Sequence, residues 1–140
     1  MITTLIPTVH ADGPDFQSEY IIYMDNGDYI VIELVEYMTR SINGKTGTKN
    51  YVYYSADGVA RWQASLTGSF TYTGNGCACT AASCDVTIFD GNYFLISKNA
   101  SRSGNAAYGT VTVGRKILGI TYDQNTINLT LTCDVNGNLS

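Results

Sequence analysis

The sequence predicts an all-β domain, an antiparallel β-sandwich of about eight strands, and three observations carry that expectation. The first is composition: 11 Tyr and 14 Gly but only 2 Pro stand in a 140-residue chain of which 14% is charged, against roughly 25% in an average soluble domain. Thr, Ser and Asn supply the polar surface instead, a mixture that favours strands and turns over helices. The second is alternation. Trp62, Ala64, Leu66, Gly68, Phe70 and Tyr72 fall on one face of a strand, and Ile127, Leu129, Leu131 and Cys133 on one face of another. Successive side chains of a strand point to opposite sides, so each set is predicted to face the core. The third is punctuation, with turn signals recurring at about 8–12 residues as in sandwiches and barrels. Immunoglobulin-like connectivity is one arrangement that such a pattern allows, and a small barrel is another.

Taken in order, residues 1–11 read as the remnant of a signal peptide or a disordered tail, and residues 12–140 as a single domain. Glu19 to Met24 and Tyr29 to Met38 are apolar runs joined by Asp25-Asn26-Gly27-Asp28. Asn-Gly between two such runs is a strong hairpin signal, because both turn residues must accept positive φ. The second run also fits a short helix, but its β-branched content and its hairpin partner favour a strand. Arg40 to Asn50 is expected as a loop, Tyr51 to Tyr54 as a strand, Ser55 to Gly58 as a turn and Ala60 to Thr73 as a long strand. Gly74 to Ser83 is expected as a loop carrying three of the four cysteines. Cys84 to Ile88 and Tyr93 to Ile96 follow as strands around Asp90-Gly91-Asn92, then Ser97 to Ala106 as a loop. Thr110 to Val113, Ile117 to Tyr122 and Thr126 to Cys133 complete the strands, with a turn at Asp123 to Asn125 and a polar tail from Asp134.

Charge and motif content exclude several function classes. A net charge of −4 argues against nucleic acid, which is bound through clustered Lys and Arg. No apolar run approaches the ~20 residues of a membrane span. With 44% hydrophobic residues and a mean hydropathy of −0.03 the chain can bury a core. Val9-His10-Ala11 fits the small-residue pattern before a signal-peptidase cut, which predicts export with cleavage after Ala11. Four cysteines, Cys77, Cys79, Cys84 and Cys133, suit an oxidising compartment and are expected in disulfides.

Catalytic constellations are sparse. The lone His10 lies in the segment expected to be removed, so no histidine remains for a catalytic triad or a metal site. Glu33 and Glu36 fall on opposite faces of a strand, which separates that carboxylate pair. The chain is therefore read as no enzyme and as using no cofactor. Asp134-Val135-Asn136-Gly137-Asn138 has turn chemistry, with its glycine misplaced for a calcium loop. Five basic residues (Arg40, Lys45, Lys49, Lys98 and Arg102) fall in two expected loops and would form a basic rim if those loops met. Trp62 is the obvious sugar-stacking candidate, yet it alternates in step with the core set and is predicted buried.

Several stretches together carry a resemblance: Tyr53 to Trp62, Leu66 to Thr73, Gly114 to Gly119 and Leu131 to Ser140. They resemble a family of small exported proteins of unknown function from anaerobic Gram-positive bacteria. The likeness spans roughly residues 28–140, rests on its Trp, Gly-x-Phe-x-Tyr and terminal Cys positions, and implies export and one β domain. It implies no activity. Its simpler members carry two cysteines at the places of Cys79 and Cys133, which makes Cys79–Cys133 the favoured bridge, beside Cys77–Cys84, with Cys79–Cys84 as the rival. The functional expectation is a secreted, non-enzymatic β-sandwich that binds a glycan or a protein at the cell surface or in the medium. The alternative is a structural or defensive secreted factor, such as an inhibitor or a toxin-like effector.

Overall fold

Alternation sets Trp62, Ala64, Leu66 and Phe70 on one side of a central strand, and the other elements assemble around that face. The computed structural model describes residues 2–8, 16–38 and 43–140. Its strands are β1 (Ile2–Thr8), β2 (Phe16–Tyr23), β3 (Tyr29–Met38), β4 (Gly44–Tyr54), β5 (Ala60–Tyr72), β6 (Cys77–Ile88), β7 (Tyr93–Ser103), β8 (Ala106–Ile117) and β9 (Ile120–Thr132). Strands β1 to β6 form a six-stranded sheet and β7 to β9 a three-stranded one, each strand pairing antiparallel with its neighbour in sequence. No helix occurs among the described residues. The smaller sheet packs over β4, β5 and β6, which makes a β-sandwich as expected. Its connectivity is an up-and-down meander; the immunoglobulin-like option would need strands that leave their sequence neighbours, and none does so here.

The core lies between the two sheets. Ile32, Trp62, Leu66 and Phe70 of the larger sheet meet Val111, Leu129 and Leu131 of the smaller one. Trp62 is 1% exposed and stacks on Tyr53, with ring centroids 5.3 Å apart and planes at 9°. Its predicted burial therefore holds, although its indole N–H has no hydrogen-bond partner among the described residues.

Three expected loops are strands instead. Residues 44–50 belong to β4, residues 77–83 to β6 and residues 97–103 to β7. Their Thr, Ser and Asn content looks like loop chemistry because many of those side chains line the outer faces of the sheets. Across β4 and β5 they pair with one another: Thr48 with Thr67 at 2.9 Å, Thr46 with Ser69 at 3.1 Å, and Ser65 with Asn50 at 2.6 Å. Cross-strand hydroxyl pairs of this kind stabilise a sheet without any apolar signature.

A fourth difference is at the end of the smaller sheet. Residues 117–122 were expected as one strand, but the chain reverses at Leu118 and Gly119, and Ile117 pairs with Ile120. The expected turn at 123–125 lies within β9. Residues 2–8 of the segment read as a leader remnant pair with β2; His10, Arg40 and the cleavage point after Ala11 lie outside the described residues.

Candidate functional site

A meander gathers alternate turns at one end. Here the β2–β3, β4–β5, β6–β7 and β8–β9 turns share one end of the sandwich. Each is built by local chemistry. Asn26 Oδ1 accepts the Asp28 N–H at 3.0 Å, with Gly27 at φ +90°. Gly58 at φ +84° donates to the Ser55 carbonyl at 2.8 Å. Asp90 Oδ1 accepts the Asn92 N–H at 2.9 Å. Short polar side chains close turns in this way because they replace missing backbone partners.

Charged side chains then tie the turns together. Asp28 accepts the Tyr53 hydroxyl at 2.5 Å and the Ala56 N–H at 3.0 Å, which joins the first turn to the second. Arg61 donates to Asp90 at 2.6 Å, to Asp57 at 3.3 Å and to the Ser55 hydroxyl at 2.9 Å, which joins the second turn to the third. The Arg115 guanidinium lies 5.7 Å from the Tyr93 ring centroid. Between these groups is a cleft of about 380 Å³, lined by Asp28, Asp57, Arg61, Asp90, Tyr93 and Arg115. A second hollow of about 280 Å³ adjoins it at Asp25, Asn26, Asp123 and Asn125.

Electrostatics makes the cleft acidic and its phenols hard to ionise. Burial, and after it the Asp28 carboxylate, raises the Tyr53 hydroxyl well above the usual phenol range. Burial also raises Tyr93. The Ser55 hydroxyl, then the Val59 N–H, hold Asp57 below its ordinary value. A network so fully bonded to itself is a preorganised polar surface.

Next to the cleft stands an apolar finger. Leu118 is 97% exposed and Ile120 73%, with Ile117 also exposed. Leu118 has φ +53° and Gly119 φ +76°, the two positive values of a type I′ hairpin turn. That turn normally takes Asn-Gly. A non-glycine residue there costs about 1 kcal/mol of backbone strain, and full exposure gives Leu118 no burial to offset it. Val59 and Phe89, also exposed, extend this apolar edge across the neighbouring turns.

The residues expected from sequence fall elsewhere. Glu33 and Glu36 lie on opposite faces of β3, as expected; Glu36 is buried and accepts the Leu139 N–H at 2.9 Å. The four described residues of the expected basic rim lie on strands and not in loops. Lys45 and Lys49 lie on β4, and Lys49 donates to the Thr130 carbonyl between the sheets. On β7, Lys98 pairs with Asp85, and Arg102 donates to the Cys79 carbonyl. Asp134 accepts the Asn136 and Asn138 N–H groups, a turn as expected, and no metal-binding cluster occurs among the described residues.

All four cysteines are free thiols in the structure, and none lines the cleft. Cys77 and Cys84 lie on one strand, β6, seven residues apart, a run of roughly 23 Å at the usual rise. No disulfide spans that distance, so the Cys77–Cys84 pairing is corrected. Cys79–Cys84, five residues apart on the same strand, fails for the same reason. The Cys133 thiol donates to the Asp134 carbonyl at 3.3 Å, and burial, followed by the neighbouring Cys77 thiol, pushes it up to about 12.

The cleft and the finger escaped sequence reasoning. Charges on four separate turns show no local pattern, and Ile117-Leu118-Gly119-Ile120 reads as a strand. The one available sign was a glycine within an apolar run. Compared with known proteins, the chain matches no family model, no curated protein and no solved structure.

Proposed function

We propose that the chain is an exported, non-enzymatic β-sandwich that binds another protein, at the cell surface or in the surrounding medium, through its turn end. The single observation carrying this reading is Leu118, almost wholly exposed in a left-handed turn position that suits it poorly. Exposed apolar side chains on a rigid hairpin, rimmed by polar groups, have the anatomy of an interface anchor. The adjacent carboxylates of Asp25, Asp28, Asp57, Asp90 and Asp123 outnumber Arg61 and Arg115. The partner that fits is thus an apolar socket flanked by basic side chains.

Trp62, the sugar-stacking candidate, is buried, which favours a protein over a glycan as the partner. Export rests on the Val9-His10-Ala11 pattern and on the resemblance to exported proteins. N-terminal sequencing of protein from the native host's medium should begin at Asp12; cytosolic protein beginning at Met1 contradicts export.

The test of binding compares the chain with Leu118→Asn, which keeps the turn. Each is immobilised and exposed to the native host's medium and surface proteins. Loss of one captured protein on substitution, with a melting temperature that does not fall, is expected. Capture indifferent to the substitution, or binding on a glycan array that survives it, overturns the reading.

A further inference from the structure

The end of the sandwich opposite the cleft brings together groups that the proposed binding does not use. Tyr72 pairs with Cys77 in the β5–β6 register, and the tail after β9 folds back over that hairpin. Gly137 lies flat on the Tyr72 ring, so closely that a Cβ there would sit 2.5 Å from a ring carbon. The Gly74 N–H donates to the Val135 carbonyl at 2.8 Å. The tail itself is anchored by the buried Glu36 carboxylate on Leu139, and by an antiparallel bridge between Cys133 and Leu139. This packing makes Cys77 a neighbour of Cys133, the first residue of the tail, whose thiol donates to the Asp134 carbonyl at 3.3 Å. Cys77 and Cys79 flank the exposed Ala78 and so share the inner side of β6. Cys79 is turned toward its own strand, its thiol donating to the Ala81 carbonyl at 3.3 Å. Cys84 lies further along β6, opposite Leu66 and close to Gly109.

We propose that Cys77 and Cys133 are the chain's oxidation site, forming one disulfide that clasps the C-terminal tail and β9 to β6, while Cys79 and Cys84 stay reduced. The geometry departs from both bridges expected from sequence. Of the four thiols only Cys77 is partly exposed; the other three are buried. A soluble disulfide oxidant therefore meets Cys77 first. The Cys77 thiolate attacks one sulfur of the oxidant and releases the other as a thiolate, which leaves a mixed disulfide on Cys77. Cys133 then gives up its proton and attacks the Cys77 sulfur, releasing the second thiolate. Two protein thiols are oxidised and one small disulfide is reduced to two thiols. Closure brings the two neighbouring sulfurs to a bond of about 2.05 Å.

The clasp would close a loop of about 57 residues, and such loops stabilise by constraining the unfolded chain. A rise in melting temperature of about 10 °C is expected for a domain of this size. It joins the edge strand of the larger sheet to the end of the smaller one, two elements with no backbone pairing between them.

The experiment uses the full chain, oxidised with oxidised glutathione under native conditions. Free thiols are blocked with one maleimide in denaturant; after reduction, the released thiols take a second. Tandem mass spectrometry then reads which label each cysteine carries, as Ala78 alone separates Cys77 from Cys79. The second label is expected on Cys77 and Cys133 only. The double variant Cys79→Ser/Cys84→Ser keeps both proposed partners and should still lose two hydrogens in mass and gain the melting shift. A second label on Cys79 or Cys84, four thiols still free after oxidation, or a double variant that gains no bridge overturns the proposal.

Discussion

The two ends of this sandwich are built from the same strands and finished in opposite ways. At the tail end the groups that close the sandwich are covered: Leu139 is buried, Glu36 is buried on its N–H, and Cys133 is buried, while Val135 is 40% exposed. At the turn end the polar groups are bonded to one another around a cleft, while Leu118, Ile120, Phe89 and Val59 face solvent. The turn end leaves far more apolar surface open, with Leu118 97% exposed against 40% for Val135 in the tail. The difference locates stability at the closed end and recognition at the open one.

The sharpest way to break this comparison is to ask how deep the openness reaches. Trp62 lies on the core face beneath the cleft residue Tyr53. Trp62→Ala should cost about 3–5 kcal/mol in chemical denaturation, as large-to-small core changes do. Trp62→Phe should cost clearly less, because it also removes an unpaired buried N–H. A cost under about 1 kcal/mol for the alanine variant would mean that the open end has no floor.

At the closed end, Glu36→Ala should destabilise by about 2–3 kcal/mol, since the buried Leu139 N–H loses a charged acceptor. Asp28→Ala at the open end removes two hydrogen bonds in a half-exposed place and should cost about 1–2 kcal/mol. Urea titrations of the two variants check the order, and a reversal would refute the assignment of stability to the tail.

Alkali offers a gentler probe of the closed end. The folded state holds the Cys133 proton from the ordinary thiol value of 9.0 up to about 12, through burial and the neighbouring Cys77 thiol. A pKa raised by folding contributes stability that is complete below the unfolded value and lost as pH rises through the folded one. Reduced protein should therefore weaken between pH 9 and about 12, and Cys133→Ser should flatten that part of the profile. Tyr51, raised by burial to about 12, adds to the same loss and remains in the variant. The smallest expected effect is a gain: Leu118→Asn restores the favoured Asn-Gly turn and should stabilise by about 0.5–1 kcal/mol.

Much of the fold was legible in the sequence because burial on one face leaves a period-two record. Trp62 to Phe70 and Leu129 to Cys133 carry that record, and Asn26-Gly27, Asp57-Gly58 and Asp90 to Asn92 mark real turns. The strands missed at 44–50, 77–83 and 97–103 put small polar side chains on outer faces. What holds them is the neighbour each pairs with, and a single strand's sequence does not contain its neighbour. The candidate site was less legible still. Asp28, Arg61, Asp90 and Arg115 come from four positions spread over 88 residues, and only the meander brings them together. Leu118 was hidden by its own chemistry, since an apolar residue in a turn looks like a strand until the turn is seen.

The central claim, that recognition belongs to the open end, is tested most directly by photo-crosslinking in the native host's medium. A photoreactive phenylalanine replaces Leu118 at the finger in one protein and the exposed Ser103 near the closed end in another. The account predicts a discrete crosslinked protein from position 118 and none from position 103. Equal crosslinking at both positions, crosslinking at 103 alone, or none at 118 would contradict it.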